Sequence, residues 1–71
     1  MKVLLLPERL KELRQSKGYT QAYCSKILGL TRNAFTNYEL GIREPSLEVL
    51  LKIRELFGTT CDYLLGVTDT Y

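Results

Sequence analysis

The chain has 71 residues, a formal net charge of +2, two cysteines and no histidine. This length suits one small domain over residues 1–71, and the lack of histidine removes the commonest general base and the commonest metal ligand. Residues 1–43 carry eight Lys/Arg and three Glu, whereas residues 44–71 carry two Lys/Arg and five Asp/Glu. A basic half joined to an acidic half indicates one face for a polyanion, and the alternative is a solvated surface with chance clustering of charge.

The two cysteines, Cys24 and Cys61, lie far apart and form no CxxC pair. Two cysteines without histidine do not make a zinc site, so no metal is expected. No cofactor is expected, and no small-molecule ligand either, because a domain of this size leaves no room for a separate ligand-sensing domain. Both lie in apolar patterns and are predicted to be buried free thiols of a cytoplasmic protein. No apolar run is long enough to cross a membrane.

The first predicted elements are an arm and a helix. Residues 1–6 are predicted to form an apolar arm with extended or β-strand character, because Leu6 precedes Pro7 and the residue before a proline disfavours helix. The first helix is predicted over Glu8–Lys17 and ends at Gly18, since glycine readily takes the left-handed conformation that follows a helix.

A short second helix is predicted over Gln21–Leu28. Thr20 is a favourable N-cap, because its hydroxyl can accept a hydrogen bond from a free backbone N–H of the first turn. Gly29 ends the helix. Three residues at helical spacing are predicted to face the core, namely Cys24, Ile27 and Leu28.

A third helix is predicted over Arg32–Leu40, with Thr31 as its cap and Gly41 after its end. Its inner side carries Ala34, Phe35 and Tyr38. Its outer side carries the small or polar residues Arg32, Asn33, Thr36 and Asn37.

The fourth helix is predicted over Leu47–Phe57 after Ser46, and a short fifth helix follows the Thr60 cap through Leu65. Residues 67–71 are predicted to form a loose tail. The predicted core stripe of the fourth helix contains Leu47, Leu50, Leu51, Ile53 and Phe57. Val49 and Leu56 lie on the opposite side and are predicted to be uncovered.

The stretch from Thr20 to Gly41 resembles the helix-turn-helix of the Cro/C1-type, lambda-repressor-like DNA-binding domains. The matching features are the Thr-Gln opening, Ser25 where the helices cross, Gly29 in the turn, Thr31, Phe35, and the Tyr38-Glu39-x-Gly41 ending. Cys24 departs from the usual leucine, although cysteine also behaves as a small hydrophobe. The resemblance extends from about Glu8 to Gly66 and implies an all-α, compact five-helix domain.

The resemblance implies that the outer side of the third helix reads DNA bases. The major groove admits a helix and presents a distinct donor and acceptor pattern for each base pair. Asn33 and Asn37 can pair with adenine and Arg32 with guanine, while Thr36 is expected near the backbone or a thymine methyl group. The plainer alternative is that these are ordinary polar residues on a solvated face.

Phosphate contacts would position the motif without reading sequence. The family places such a contact at the residue matching Gln21, and Arg43 is the best cationic partner in the loop after the third helix. The remaining candidates for phosphate contacts are Thr31, Lys17, Tyr23 and Lys26. For the last three, solvated surface is an equally good interpretation.

A further pair follows from the resemblance. In some members of the family an arginine of the first helix pairs with the glutamate after the recognition helix, and Arg14 and Glu39 occupy these positions. The pair would hold the recognition helix on the domain, and removal of one partner would leave the other without a counter-charge. The alternative is two independent surface charges.

The sequence therefore predicts a sequence-specific transcriptional regulator that binds double-stranded DNA, most simply a repressor. The alternative is a protein-interaction module of the same fold, such as the antitoxin of a toxin–antitoxin pair. An enzyme is not expected, because no constellation of catalytic groups is visible.

The regulator is expected to bind a palindromic operator as a homodimer, because one recognition helix reads too few base pairs to locate an operator. The apolar residues left over for a dimer contact are Val3, Leu4, Leu5, Val49 and Leu56. The alternative is that the arm folds back on its own core and that the other apolar residues are scattered over the surface.

Overall fold

The computed structural model describes residues 5–68 of the chain. In this part there are five α-helices and no β-strand. The helices are α1 (Leu6–Lys17), α2 (Gln21–Ile27), α3 (Ala34–Leu40), α4 (Leu47–Phe57) and α5 (Cys61–Leu64). The all-α prediction and the order of the five helices are confirmed. None of these helices is long and apolar enough to span a membrane.

Side-chain caps begin three of the helices. The hydroxyl oxygens of Thr20, Ser46 and Thr60 accept hydrogen bonds from the backbone N–H three residues later, at 3.0, 3.2 and 3.1 Å. Each bond satisfies one of the amide groups that a helix leaves unpaired at its N-terminus. The sequence predicts these three caps, and a fourth at Thr31 that the structure does not bear out.

The core lies where α3 packs against α1 and α2, and where α4 and α5 close over α1. Phe35 is fully buried at its centre, with ring centroids 6.4 Å from Tyr38 and 6.2 Å from Phe57. The buried apolar residues are Leu6, Leu10, Leu13, Cys24, Leu28, Phe35, Tyr38, Leu50, Ile53, Phe57, Tyr63 and Leu64. Helix α3 therefore rests directly on the buried core.

The predicted extended arm is wrong for the residues that the structure describes. Leu6 is the first residue of α1 and is buried, and Leu5 has a helical backbone conformation. Pro7 is tolerated in the first turn, where no N–H partner is required, so burial of Leu6 outweighs the bias against helix before proline. Leu5 lies against Gly66, where an added Cβ would stand 3.0 Å from Leu5 Cδ1. Val3 and Leu4 lie outside the described residues.

The predicted core stripe of α4 is confirmed for Leu50, Ile53 and Phe57, which are buried, and is wrong at its other two residues. Leu47 and Leu51 are exposed, whereas Val49 and Leu56 are half-buried against the core. The physical reason is Arg54, which falls inside the predicted stripe and is exposed in the structure. The observed inner face contains no charge, so burying it avoids the cost of desolvating a guanidinium group.

Three smaller predictions need correction. Ile27 is exposed rather than inward-facing, and Cys61 is only half-buried. Val67 and Thr68 are held rather than loose, because their N–H groups donate to the Asp62 carbonyl at 2.8 and 3.4 Å. Residues 69–71 of the predicted tail lie outside the described residues.

Cys24 provides a test of the core. It is fully buried, and this burial raises the pKa of its thiol to about 11. We expect Cys24→Ser to lose about 1–3 kcal/mol of stability, because a buried hydroxyl without a partner carries an uncompensated desolvation cost.

Cys61→Ser at the half-buried cysteine is the matched control, and both variants are compared by urea denaturation. In the wild type, a thiol reagent at neutral pH should modify Cys61 much faster than Cys24. Equal labelling rates in the native protein would contradict the buried position of Cys24.

Candidate nucleic-acid interface

The turn between α2 and α3 is fixed by backbone hydrogen bonds. After α2, Gly29 has a left-handed backbone with φ of 73°. The N–H of Leu30 donates to the Ser25 carbonyl at 2.9 Å, and the N–H of Ala34 donates to the Thr31 carbonyl at 3.1 Å. The connection is therefore a pair of tight turns that brings α3 back across α2.

Ser25 joins the two helices directly. Its side chain is fully buried, and its Oγ accepts a hydrogen bond of 3.0 Å from the backbone N–H of Phe35 in the first turn of α3. A buried N–H of this kind is costly when unpaired. The sequence marks Ser25 only as a small residue at the helix crossing, and the hydrogen bond gives it a second role, which is to cap α3 from outside that helix.

The predicted start of α3 is corrected by the same contact. The helix begins at Ala34, with Asn33 at the N-cap position, and Thr31 makes no side-chain capping bond. Arg32 and Asn33 therefore lie in the turn before the helix rather than in it. Thr31 does not need to cap, because Ser25 already satisfies an amide of the first turn.

The four predicted base-reading residues lie together at the start of α3. Arg32 and Asn33 are exposed in the turn, while Thr36 and Asn37 are half-buried one turn further along. Residues three or four apart share a face of a helix, so Thr36 and Asn37 extend the face that begins at Asn33. This face is polar and carries donors and acceptors that fit base edges.

Arg14 and Glu39 pair as the resemblance implies. Arg14 Nε lies 2.6 Å from Glu39 Oε2, and Arg14 Nη2 lies 3.2 Å from Glu39 Oε1. The side chains are only 14% and 4% exposed, so the two charges are largely removed from water. The hydrogen bond to Glu39 raises the pKa of the Arg14 guanidinium. A third donor, Arg14 Nη1, binds the Tyr19 carbonyl at 3.0 Å.

Gln21 extends this ion pair to the recognition face. Its Nε2 donates to Glu39 Oε1 at 2.9 Å, and its Oε1 accepts from Thr36 Oγ1 at 3.0 Å. Both ends of the Gln21 amide are therefore engaged within the domain. The phosphate contact that the resemblance implies at Gln21 stays a prediction, and we assign it to the backbone N–H, which a helix leaves unpaired in its first turn.

The other predicted phosphate-binding residues come before or after the base-reading residues in the sequence, and their side chains are exposed to solvent. The Arg43 backbone N–H donates to the Asn37 carbonyl at 3.3 Å, which holds the loop against the end of α3. Tyr23 is 43% exposed, and its ring lies 4.8 Å from the ring of Tyr19. Thr31, Lys17, Lys26 and Arg43 are exposed. Within residues 5–68, neither lysine nor Arg43 pairs with an acidic side chain.

Arg9 is an important residue that the sequence does not reveal. It is buried, its guanidinium lies 4.0 Å from the centroid of the Tyr63 ring, and it donates to the carbonyls of Tyr63 and Thr68. These contacts tie α1 to the end of α5. No local pattern signals them, because the partners are 54 and 59 residues away in sequence.

Comparison with known proteins identifies the same kind of domain that the sequence resembles. The helix-turn-helix family model matches residues 10–64. The chain is 46% identical over 59 residues to the HTH-type transcriptional regulator AnsR of Bacillus subtilis, covering 83% of this chain and 51% of that protein.

Two further Bacillus subtilis proteins are similarly related. The identity is 45% over 61 residues to the SPbeta prophage-derived regulator YonR, covering 86% of this chain and 56% of that protein. The identity to the regulator ImmR is 44% over 61 residues, covering 86% of this chain and 48% of that protein. The chain thus spans about half the length of these curated relatives. By its fold, its α2–turn–α3 geometry and these matches, the chain belongs to the Cro/C1-type helix-turn-helix family, which consists of DNA-binding domains rather than enzymes.

Proposed function

We propose that this chain is the sequence-specific DNA-binding part of a transcriptional regulator, and that it represses by occupying a palindromic operator as a dimer. The observation that carries the proposal is the polar face of Arg32, Asn33, Thr36 and Asn37, held on a rigid base by Ser25 and by the Arg14–Glu39 pair. Pre-organised side chains lose less conformational entropy on binding than mobile ones. The relatives named as transcriptional regulators support the same function.

In the proposed complex, the N-terminal end of α3 enters the major groove. Arg32 pairs with guanine, and Asn33 and Asn37 pair with adenine, because these side chains match the bidentate patterns of those bases. Arg43, Lys17 and Lys26 bind flanking phosphates, with the Tyr23 hydroxyl, the Thr31 side chain and the Gln21 backbone as uncharged partners. The exposed position of each cation is compatible with this role.

The experiment that tests this function is a selection of bound duplexes from random-sequence DNA. A sequence-specific regulator should enrich one motif, and a dimer should enrich it as an inverted repeat with half-sites centred about 10–10.5 base pairs apart or a multiple of that spacing. A protein-interaction module of the same fold that does not bind DNA should enrich none. Recovery of DNA with no shared motif would therefore contradict the proposal.

The surface for the proposed dimer must be revised. Val49 and Leu56 are half-buried against the core, and Leu5 is packed on Gly66. Exposed apolar side chains instead lie at Leu47 and Leu51, which are four residues apart on the outer side of α4. Leu40 and Ile42, just before α4 in the chain, are exposed as well. Residues four apart share a helix face, so we place the dimer contact on Leu47 and Leu51.

The dimer contact can be tested by replacing Leu47 and Leu51 together with glutamine. In sedimentation equilibrium at tens of micromolar, the wild type should self-associate and the double variant should be monomeric. Affinity for the full palindrome should fall, whereas affinity for an isolated half-site should not change. Ile27→Gln, at an exposed apolar residue of α2, is the matched control. A wild-type monomer that binds a half-site as tightly as the palindrome would contradict the proposed dimer.

A further inference from the structure

A continuous chain of hydrogen bonds leads from the domain interior to the recognition face. It runs from Arg14 to Glu39, from Glu39 to Gln21 and from Gln21 to Thr36, with donor–acceptor distances of 2.6, 2.9 and 3.0 Å. Each member has a limited choice of donating or accepting. The direction of every hydrogen bond in the chain can therefore be derived from its first member.

Arg14 fixes the first link. A guanidinium group only donates, and here two of its nitrogens point at the two oxygens of Glu39. A carboxylate that receives two charge-assisted hydrogen bonds is held in its ionised form, and an ionised carboxylate only accepts. Glu39 therefore requires a donor from its third neighbour, Gln21.

Gln21 then has one acceptable orientation. Its amide presents an NH₂ group on one side and an oxygen on the other. The NH₂ group must face Glu39, because the opposite orientation would place two oxygens 2.9 Å apart. The Gln21 oxygen consequently faces Thr36, which must donate its single hydroxyl hydrogen across the 3.0 Å contact.

The hydroxyl of Thr36 is left with acceptor capacity alone. In the major groove, the hydrogen-bond donors are the exocyclic amines, N6 of adenine and N4 of cytosine, while guanine and thymine present O6, N7 and O4 acceptors. A phosphate is likewise an acceptor. We propose that Thr36, oriented by the Arg14–Glu39–Gln21 chain, selects an amino base (A or C) over a keto base (G or T) at the strand position that it faces.

This inference rests on the proposed function and adds a rule for one base position to it. It also revises the expectation that the Thr36 hydroxyl approaches the DNA backbone, because a hydroxyl without a free hydrogen cannot donate to phosphate. Gln21 acts here as a positioning residue, since it reaches the DNA base only through Thr36.

The test is a set of parallel selections from random duplex DNA with the wild type and three variants. The wild type should prefer amino over keto bases roughly fivefold to tenfold at one position of each half-site, the factor expected for one hydrogen bond. T36V removes the acceptor, and Q21A frees the hydroxyl to rotate. Both should reduce this preference to less than about twofold while preferences at the other positions persist.

The third variant, E39Q, should also remove the preference, because it frees the Thr36 hydrogen for donation. The 2.6 Å contact to Arg14 Nε is shorter than the 3.2 Å contact to Arg14 Nη2, which favours the new amide oxygen at the Nε site. The NH₂ group then gives up the longer contact to Nη2 and faces Gln21. Gln21 must then present its oxygen to position 39 and its NH₂ group to Thr36. The Thr36 hydroxyl becomes free to donate while its second lone pair can still accept, so the preference for amino bases should fall to less than about twofold at the same position.

Circular dichroism and thermal melting establish that each variant is folded, and Gln15→Ala, on the exposed side of α1, is the matched control. If E39Q does not fold, the loss of preference in Q21A and T36V decides the question. Retention of the amino preference in folded Q21A or T36V would overturn the inference and leave the proposed function intact. Failure of the wild type to enrich any motif would overturn both.

Discussion

Replacing Glu39 by alanine is expected to destabilise the domain by about 3–5 kcal/mol, the range for removing one partner of a buried ion pair. The substitution leaves the Arg14 guanidinium, 14% exposed, without its counter-charge, and it removes the acceptor of Gln21 Nε2. The hydrophobic core of a domain of this size contributes only about 3–5 kcal/mol to the free energy of unfolding. Glu39→Ala should therefore be largely unfolded at 25 °C, as measured by circular dichroism and urea titration.

Glu48→Ala is the matched control for this prediction. Glu48 pairs with Lys52 at 3.9 Å on the surface of α4, with side chains 83% and 52% exposed. Exposed pairs of this kind contribute at most about 1 kcal/mol. If Glu39→Ala and Glu48→Ala changed the urea midpoint equally, the Arg14–Glu39 pair would not be what holds α3 to α1.

The second large effect concerns DNA affinity. Replacing Arg32 and Asn37 together with alanine should weaken binding to the selected operator by about 2–6 kcal/mol, because each bidentate base contact contributes about 1–3 kcal/mol. Non-specific binding should change less, and Asn37→Ala alone should relax the preference at one base position. The backbone of Asn37 also accepts from Ile42 and Arg43, but alanine leaves those bonds in place, so the fold should persist.

Arg43→Ala is the comparison that separates residues that contact bases from residues that contact phosphates. A lost phosphate contact should weaken binding evenly for all sequences and lower the salt dependence of log K by about one unit. Fluorescence anisotropy at several salt concentrations, with operator and random duplexes, measures both quantities. The same pattern for Arg43→Ala and for the Arg32/Asn37 variant would contradict the assignment of separate roles.

Much of the fold can be predicted from local sequence signals. The caps at Thr20, Ser46 and Thr60 depend on atoms three residues away, so their sequence pattern is reliable. The face of α4 cannot be predicted in the same way. Apolar residues surround most of that helix, and only the exclusion of Arg54 from the core selects the buried side.

The sequence predicts which residues form the candidate site, but it does not predict the hydrogen bonds between them. The exposed polar side of α3 follows from the sequence, whereas the start of α3 depends on Ser25, which lies ten residues before its partner Phe35. The link from Gln21 to Thr36 and Glu39 likewise depends on how α2 crosses α3. Such contacts arise from tertiary packing, which overrides local capping preferences.

The central claim is that the face formed by Arg32, Asn33, Thr36 and Asn37 meets the bases. Its most direct test is a titration of ¹⁵N-labelled protein with the selected duplex, followed by amide chemical shifts. We expect the largest shifts at residues 31–37, with smaller ones at residues 20–23 and 41–43, and a random duplex should move mainly the latter two segments. Largest shifts in α4 and α5, with residues 31–37 unchanged, would contradict the account.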